Sequence, residues 1–161
     1  PERRDAYLAA ARGLPERVVF TGRLEHDELA ELLPACEALV VPSTFSEAFG
    51  MVGAEAAACG ALPISAGHSG LAEVSRTLAE AVPAQVRGLL SFRLGPQAVE
   101  DLAARLTGWL EAPDALRRQT AEALVEIARE RYSWEGVAEG VIAAAQGRLD
   151  ALTAPPPLAS V

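Results

Sequence analysis

Two glutamates eight positions apart, Glu47 and Glu55, flank a glycine-bearing turn, Phe49-Gly50-Met51. An ionised carboxylate only accepts hydrogen bonds and can take two at once, which suits the hydroxyls of a sugar or ribose. The turn between them offers different chemistry. A helix opening at about Gly50 presents unpaired N–H groups and the positive end of its dipole, which suits a phosphate. An apolar run, Ala38-Leu39-Val40-Val41, precedes the turn, and an Ala-rich helical pattern follows it. The unit reads as strand, loop, helix, and in open α/β sheets ligands lie beyond the carboxyl ends of the strands. Spacing by itself leaves plainer roles open. Glu55 also fits a solvent-facing helical carboxylate, Glu47 a charge on a loop surface, and Gly50 simple turn chemistry.

The rest of the chain must position this stretch. Its 161 residues, half of them hydrophobic, suffice for one domain with a proper core. The net charge of −8, with no lysine, argues against nucleic acid or an anionic membrane surface as a general partner. It does not argue against a small anionic ligand in a local pocket. Cys36 and Cys59 show no paired metal spacing and read as free thiols in a reducing cytosol. Neither a membrane-spanning apolar run nor a signal peptide is visible, so a soluble, cytoplasmic protein is expected. The chain opens on Pro1 with helical pattern already under way, which reads as an N-terminally incomplete chain.

In order, the pattern predicts a helix over 2–12, a short strand over 18–20, a helix over 26–36 and a strand over 39–41. After the motif helix come a strand over 61–65, a loop over 67–70, a partly helical 71–81 and a last strand over 88–92. Pro63 suggests that its strand is at an edge or near its start. Helices then follow over 98–110, from Pro113 towards Tyr132, and from Trp134 to about 151, with Ser133 as N-cap. Trp109 and Trp134 read as packing residues. Alternating strand and helix implies an α/β fold: a Rossmann-like parallel sheet of about four strands with crossover helices, followed by C-terminal helices. Residues 1–153 form the domain, and 154–161, with three consecutive prolines, read as a flexible tail.

Glu47, seven residues, then Glu55 resembles the E-x7-E signature of retaining glycosyltransferases of the GT-B fold, most closely family 4. The surroundings resemble it too: VVFTGRL at 18–24, LVVPSTFSEAFGMVGAEAAACGALPISA at 39–66 and RYSWEGVAEG at 131–140 are similar to consecutive blocks of that family's C-terminal, donor-binding domain. The resemblance implies a sheet of about six strands, of which the first two would be absent here. It further implies transfer of a hexose, with retention, from a nucleoside-diphosphate sugar to an acceptor hydroxyl, without a cofactor or a metal.

By that resemblance Glu55 takes the ribose hydroxyls. Glu47 is the catalytic candidate, acting by positioning the donor sugar and by electrostatics rather than as a nucleophile. The amides of Phe49, Gly50, Met51 and Val52 cradle the sugar and diphosphate, and Arg23 and Leu24 stand on the nucleobase side. Ser69-Gly70 departs from the two glycines that many family members have there, which weakens the expectation of close backbone approach. Glu73 is a lesser candidate for the rim. His68 reads as an exposed, idle loop histidine, and His26 as structural. The family's Arg and Lys that neutralise the diphosphate have no counterpart here, nor does the acceptor-binding N-terminal domain, the expected partner of this one. Any peripheral membrane contact would come from those absent regions. The fragment is therefore expected to be inactive alone. Sugar epimerases and phosphorylases of the same fold match less well. The remaining alternative is a non-catalytic nucleotide-binding or assembly module.

Overall fold

A computed structural model describes residues 4–152. The expected tail over 154–161 lies outside them. Eight α-helices and three strands are formed among the described residues: α1 (Arg4–Arg12), α2 (His26–Leu32), β1 (Ala38–Val41), α3 (Met51–Ala58), β2 (Leu62–Ala66), α4 (Ser69–Ala81), α5 (Ala84–Arg87), β3 (Ser91–Phe92), α6 (Ala98–Leu110), α7 (Asp114–Tyr132) and α8 (Trp134–Ala145). The sheet is parallel throughout, in the order β1-β2-β3, with Ala38 opposite Leu62 and Ser65 opposite Ser91. This is the α/β, Rossmann-like architecture expected from the alternating pattern.

All five residues of β2 are buried, as a central strand requires. Pro63 sits in it without loss. Leu62 N–H bonds the Glu37 carbonyl on the β1 side, and Ser65 N–H bonds the Leu90 carbonyl on the β3 side. Pro63 alternates towards the β3 side, where pairing begins only at Ser65, so its missing N–H breaks no ladder bond. The strand is central, not an edge, with Pro63 second along it.

The core gathers Val41, Leu62, Ile64, Leu71, Val74, Leu78, Leu90, Phe92, Trp109 and Leu124 around β2. α3 meets the sheet through Gly53, Ala54, Ala56 and Ala57, small residues that let its backbone sit close to β2 and α7. α4 lies beside α3 and presents Leu71, Val74 and Leu78 to the core. Trp109, at the end of α6, is 1% exposed and donates its indole N–H to the Glu37 carbonyl at 2.7 Å. That bond ties the C-terminal helices to the start of β1. Ser133 caps α8, accepting from Gly136 N–H at 3.1 Å.

Two expectations change. No strand forms over 18–20: Val19 and Phe20 are exposed, and among the described residues no strand lies beside them. A strand is stable only when its N–H and C=O groups pair along a ladder, and here none is offered. Among the described residues the sheet accordingly has three strands, where about four were expected. Trp134 is 86% exposed at the first position of α8 and packs far less than its type suggested.

Candidate functional site

β1 and β2 are parallel neighbours, so the segments leaving their carboxyl ends, 42–50 and 67–68, meet on one edge of the sheet. Gly50 stands between the first segment and α3 with φ 82° and ψ 43°. That left-handed turn favours glycine, and a Cβ there would come within 2.9 Å of the Leu71 side chain and 3.1 Å of its backbone. α3 opens immediately afterwards, as the sequence predicts. The backbone N–H groups of Phe49, Gly50, Met51 and Val52 have no hydrogen-bond partner among the described residues. Four unpaired donors at a helix N-terminus form a place for an anion.

Glu47 is held by its backbone from both sides. Its N–H donates to Ser69 Oγ at 3.0 Å, and its carbonyl accepts from Gly70 N–H at 2.9 Å. Gly70 lies directly under Phe49, with no room for a side chain. Close backbone approach is therefore present at the Ser69-Gly70 position despite the serine. Ser69 itself takes φ 49°, an uncommon conformation for a residue with a Cβ, and α4 begins there rather than at 71. Glu55 lies within α3, half-buried. Neither Glu47 nor Glu55 has an ion-pair partner among the described residues, so both carboxylates are free to accept hydrogen bonds.

Phe49 connects this edge to α7. Its ring meets that of Tyr132 edge-on, with centroids 5.5 Å apart. A cleft of about 460 Å³ follows, lined by Phe49, Met51, Glu55, Arg129, Tyr132 and Trp134. A larger cleft of about 830 Å³ also has Phe49 in its wall, with Glu73, Thr77 and Tyr132. Glu73 thus borders a cleft that Phe49 shares. Burial raises the Tyr132 phenol above its ordinary value, Thr77 and Arg131 acting in the opposite direction. Burial also raises the Cys59 thiol, with Glu55 and then Cys36 adding to the shift. Both thiols are free.

Arg23 and Leu24 are placed differently. Arg23 is exposed and paired with Glu25 at 3.0 Å, and Leu24 is half-buried. No hydrogen bond or ion pair joins either to segment 42–50 among the described residues. Among the same residues, no group of three or more His, Cys, Asp and Glu could hold a metal ion.

The sequence reading missed His68. It is half-buried, not idle: its Nε2 lies 2.8 Å from the Ser43 carbonyl and its Nδ1 3.0 Å from Ser69 Oγ. The sequence signal for it is slight: two adjacent polar residues, His68 and Ser69, at a strand end.

With a parallel sheet and a left-handed glycine opening α3 between Glu47 and Glu55 in sequence, the chain belongs to the family of glycosyl transferases group 1, whose profile matches residues 2–131. It is 35% identical over 135 residues to the D-inositol 3-phosphate glycosyltransferase of Rhodococcus opacus, covering 84% of this chain and 27% of that protein. It is 33% identical over 119 residues to the glycogen synthase of Mycobacterium tuberculosis, covering 74% of this chain and 26% of that protein. The chain thus spans little more than a quarter of the length of these relatives. No helix among the described residues is long and apolar enough to cross a membrane.

Proposed function

We propose that this chain supplies part of the donor site of a retaining, GT-B, family 4 glycosyltransferase that moves a hexose from a nucleoside-diphosphate sugar to an acceptor hydroxyl. The observation that carries this reading is the run of four amides, Phe49 to Val52, between two carboxylates, the amides without hydrogen-bond partners and the carboxylates without ion-pair partners among the described residues. In this reading the amides receive the sugar and diphosphate, whose negative charge suits the α3 N-terminus. Glu55 accepts the two ribose hydroxyls. Glu47 accepts from the donor sugar and favours the positive charge that develops at its anomeric carbon. Arg23 and Leu24 stand towards the base. Neither a metal nor a cofactor is used.

Family membership supports the transfer of sugar from a nucleotide donor, and the relatives are named for an inositol phosphate and for glycogen. The sequence holds no lysine and no counterpart of the family's diphosphate-neutralising pair. The chain alone therefore binds donor weakly and transfers no sugar, and the acceptor is bound outside it, in a soluble cytoplasmic enzyme.

The test is a titration of the ¹⁵N-labelled chain with uridine, guanosine and adenosine diphosphates and their glucose conjugates, followed by amide shifts. Saturable shifts confined to 47–55 and the neighbouring 68–70 are expected with at least one of them. Shifts confined to other surfaces, or none with any, would overturn the reading. Sugar transfer by the chain alone would refute its inactivity.

A further inference from the structure

We propose that His68 and Ser69 are positioning residues that hold Glu47 in place for the donor sugar, an assignment that rests on the donor-site reading above. Three bonds run from residues 68–70 to the segment that carries Glu47. His68 Nε2 lies 2.8 Å from the Ser43 carbonyl, Glu47 N–H donates to Ser69 Oγ at 3.0 Å, and Gly70 N–H donates to the Glu47 carbonyl at 2.9 Å. They grip the segment at its start and at Glu47 itself, on both backbone groups.

The donors and acceptors fix the tautomer of the neutral ring. A carbonyl oxygen only accepts, so His68 Nε2 carries the proton. In the neutral ring Nδ1 then accepts, and its partner at 3.0 Å is the Ser69 hydroxyl, which donates to it. That leaves the Ser69 oxygen lone pairs for Glu47 N–H. The order is one directed chain: Glu47 N–H to Ser69 Oγ, Ser69 O–H to His68 Nδ1, His68 Nε2–H to Ser43 C=O. Every link is satisfied in a half-buried site, where aligned bonds strengthen one another.

Ser69 shows that the arrangement is maintained at a cost. It keeps φ 49°, where glycine would be unstrained. Serine contributes what glycine lacks, a hydroxyl that reaches Glu47 N–H and the ring together. His68 and Ser69 touch neither donor nor acceptor in this assignment. They act through Glu47, whose carboxylate must meet the sugar within a few tenths of an ångström.

Ser69→Gly separates this role from a merely structural one. It removes the hydroxyl and relieves the backbone, two effects of similar size and opposite sign, so the thermal midpoint stays about level. The Glu47 amide nevertheless exchanges faster, by about fivefold, the worth of one ordinary hydrogen bond. Ser69→Ala gives the same acceleration without the backbone relief. His68→Gln, whose amide nitrogen replaces Nε2, keeps the Ser43 bond and protects the segment better than His68→Ala. Nitrogen NMR of the wild-type ring shows protonated Nε2 and unprotonated Nδ1. In titrations with each nucleoside diphosphate and its glucose conjugate, Ser69→Gly loses the preference for the conjugate while its affinity for the diphosphate is unchanged.

An unchanged Glu47 exchange rate in both Ser69 variants, or a proton on Nδ1 in the neutral ring, would overturn the bonding chain itself. Faster exchange with the sugar preference intact would overturn its role in positioning. If wild type bound none of the six ligands, the donor-site reading would fall and the sugar assignment with it. The exchange and ring data would still decide the bonding chain separately.

Discussion

Gly70 lies directly beneath Phe49: a Cβ at position 70 would stand 2.5 Å from the Phe49 nitrogen and 2.6 Å from its Cα. A backbone cannot rotate away as a side-chain tip can, so any side chain at 70 displaces the segment that bears Glu47. Gly70→Ala is expected to cost about 1–3 kcal/mol, the range for overpacking a filled site. It also lengthens the Gly70 N–H bond to the Glu47 carbonyl, now 2.9 Å. Urea unfolding reads the first effect and amide exchange at Gly70 the second. Unchanged values for both would mean that α4 and the segment slide past each other freely.

Glu55 is expected to contribute charge-assisted hydrogen bonds to the nucleotide, each worth about 1.5–3 kcal/mol. Glu55→Ala removes both bonds and should therefore weaken nucleoside diphosphate binding by about a hundredfold or more, with little effect on stability at its half-buried position. Glu55→Gln keeps the shape but not the charge and should fall between the two. Calorimetric titration measures this, and equal affinities for all three forms would leave Glu55 a solvent-facing helical residue.

Most of what positions this edge was legible because local pattern and tertiary need agree. The apolar run before Pro42, the glycine at 50 and the alanines after it specify strand, turn and close-packed helix in the order found. Ser133, between Tyr132 and Trp134, specified the N-cap at the α7–α8 junction. What failed depended on partners distant in sequence. Val18-Val19-Phe20 has strand composition, but a strand exists only through a neighbour's ladder. Pro63 left an edge or a strand start open, and the start is what is found; which side its missing N–H faces, and where β3 begins, are facts of register rather than of composition. His68 looked idle because its partner, the Ser43 carbonyl, is 25 residues away in sequence and invisible as a side-chain pattern.

Tyr132 gives stability an alkaline edge. Burial raises its phenol above the ordinary value, so the unfolded chain ionises first. Its contribution is then fully present below about pH 10 and is lost as pH rises through the folded value. Tyr132→Phe keeps the edge-on contact with Phe49 and removes the titrating group. It should flatten the decline in stability above about pH 10 relative to wild type. Denaturant midpoints followed between pH 8 and 11 test this, and parallel curves for the two proteins would show that Tyr132 does not shape that limb.

Trp109 joins the last helices to the strand that leads to Glu47, and two contributions to that joint can be separated. Its ring is 1% exposed, so truncation to alanine empties a large volume and is expected to cost about 3–5 kcal/mol. Its indole N–H donates to the Glu37 carbonyl, which also accepts from Leu62 N–H at 3.2 Å. Trp109→Phe keeps most of the apolar contact and removes only the donor. The carbonyl retains Leu62, so it is not orphaned, and the lost bond should cost about 1 kcal/mol on top of a modest packing loss. The order expected in chemical denaturation is therefore wild type, then Trp109→Phe, then Trp109→Ala well below both. If Trp109→Phe fell as far as Trp109→Ala, the hydrogen bond to Glu37 rather than the buried ring would hold α6 to β1. Amide exchange at Leu62 would then rise in both variants, since its acceptor would have moved with the strand.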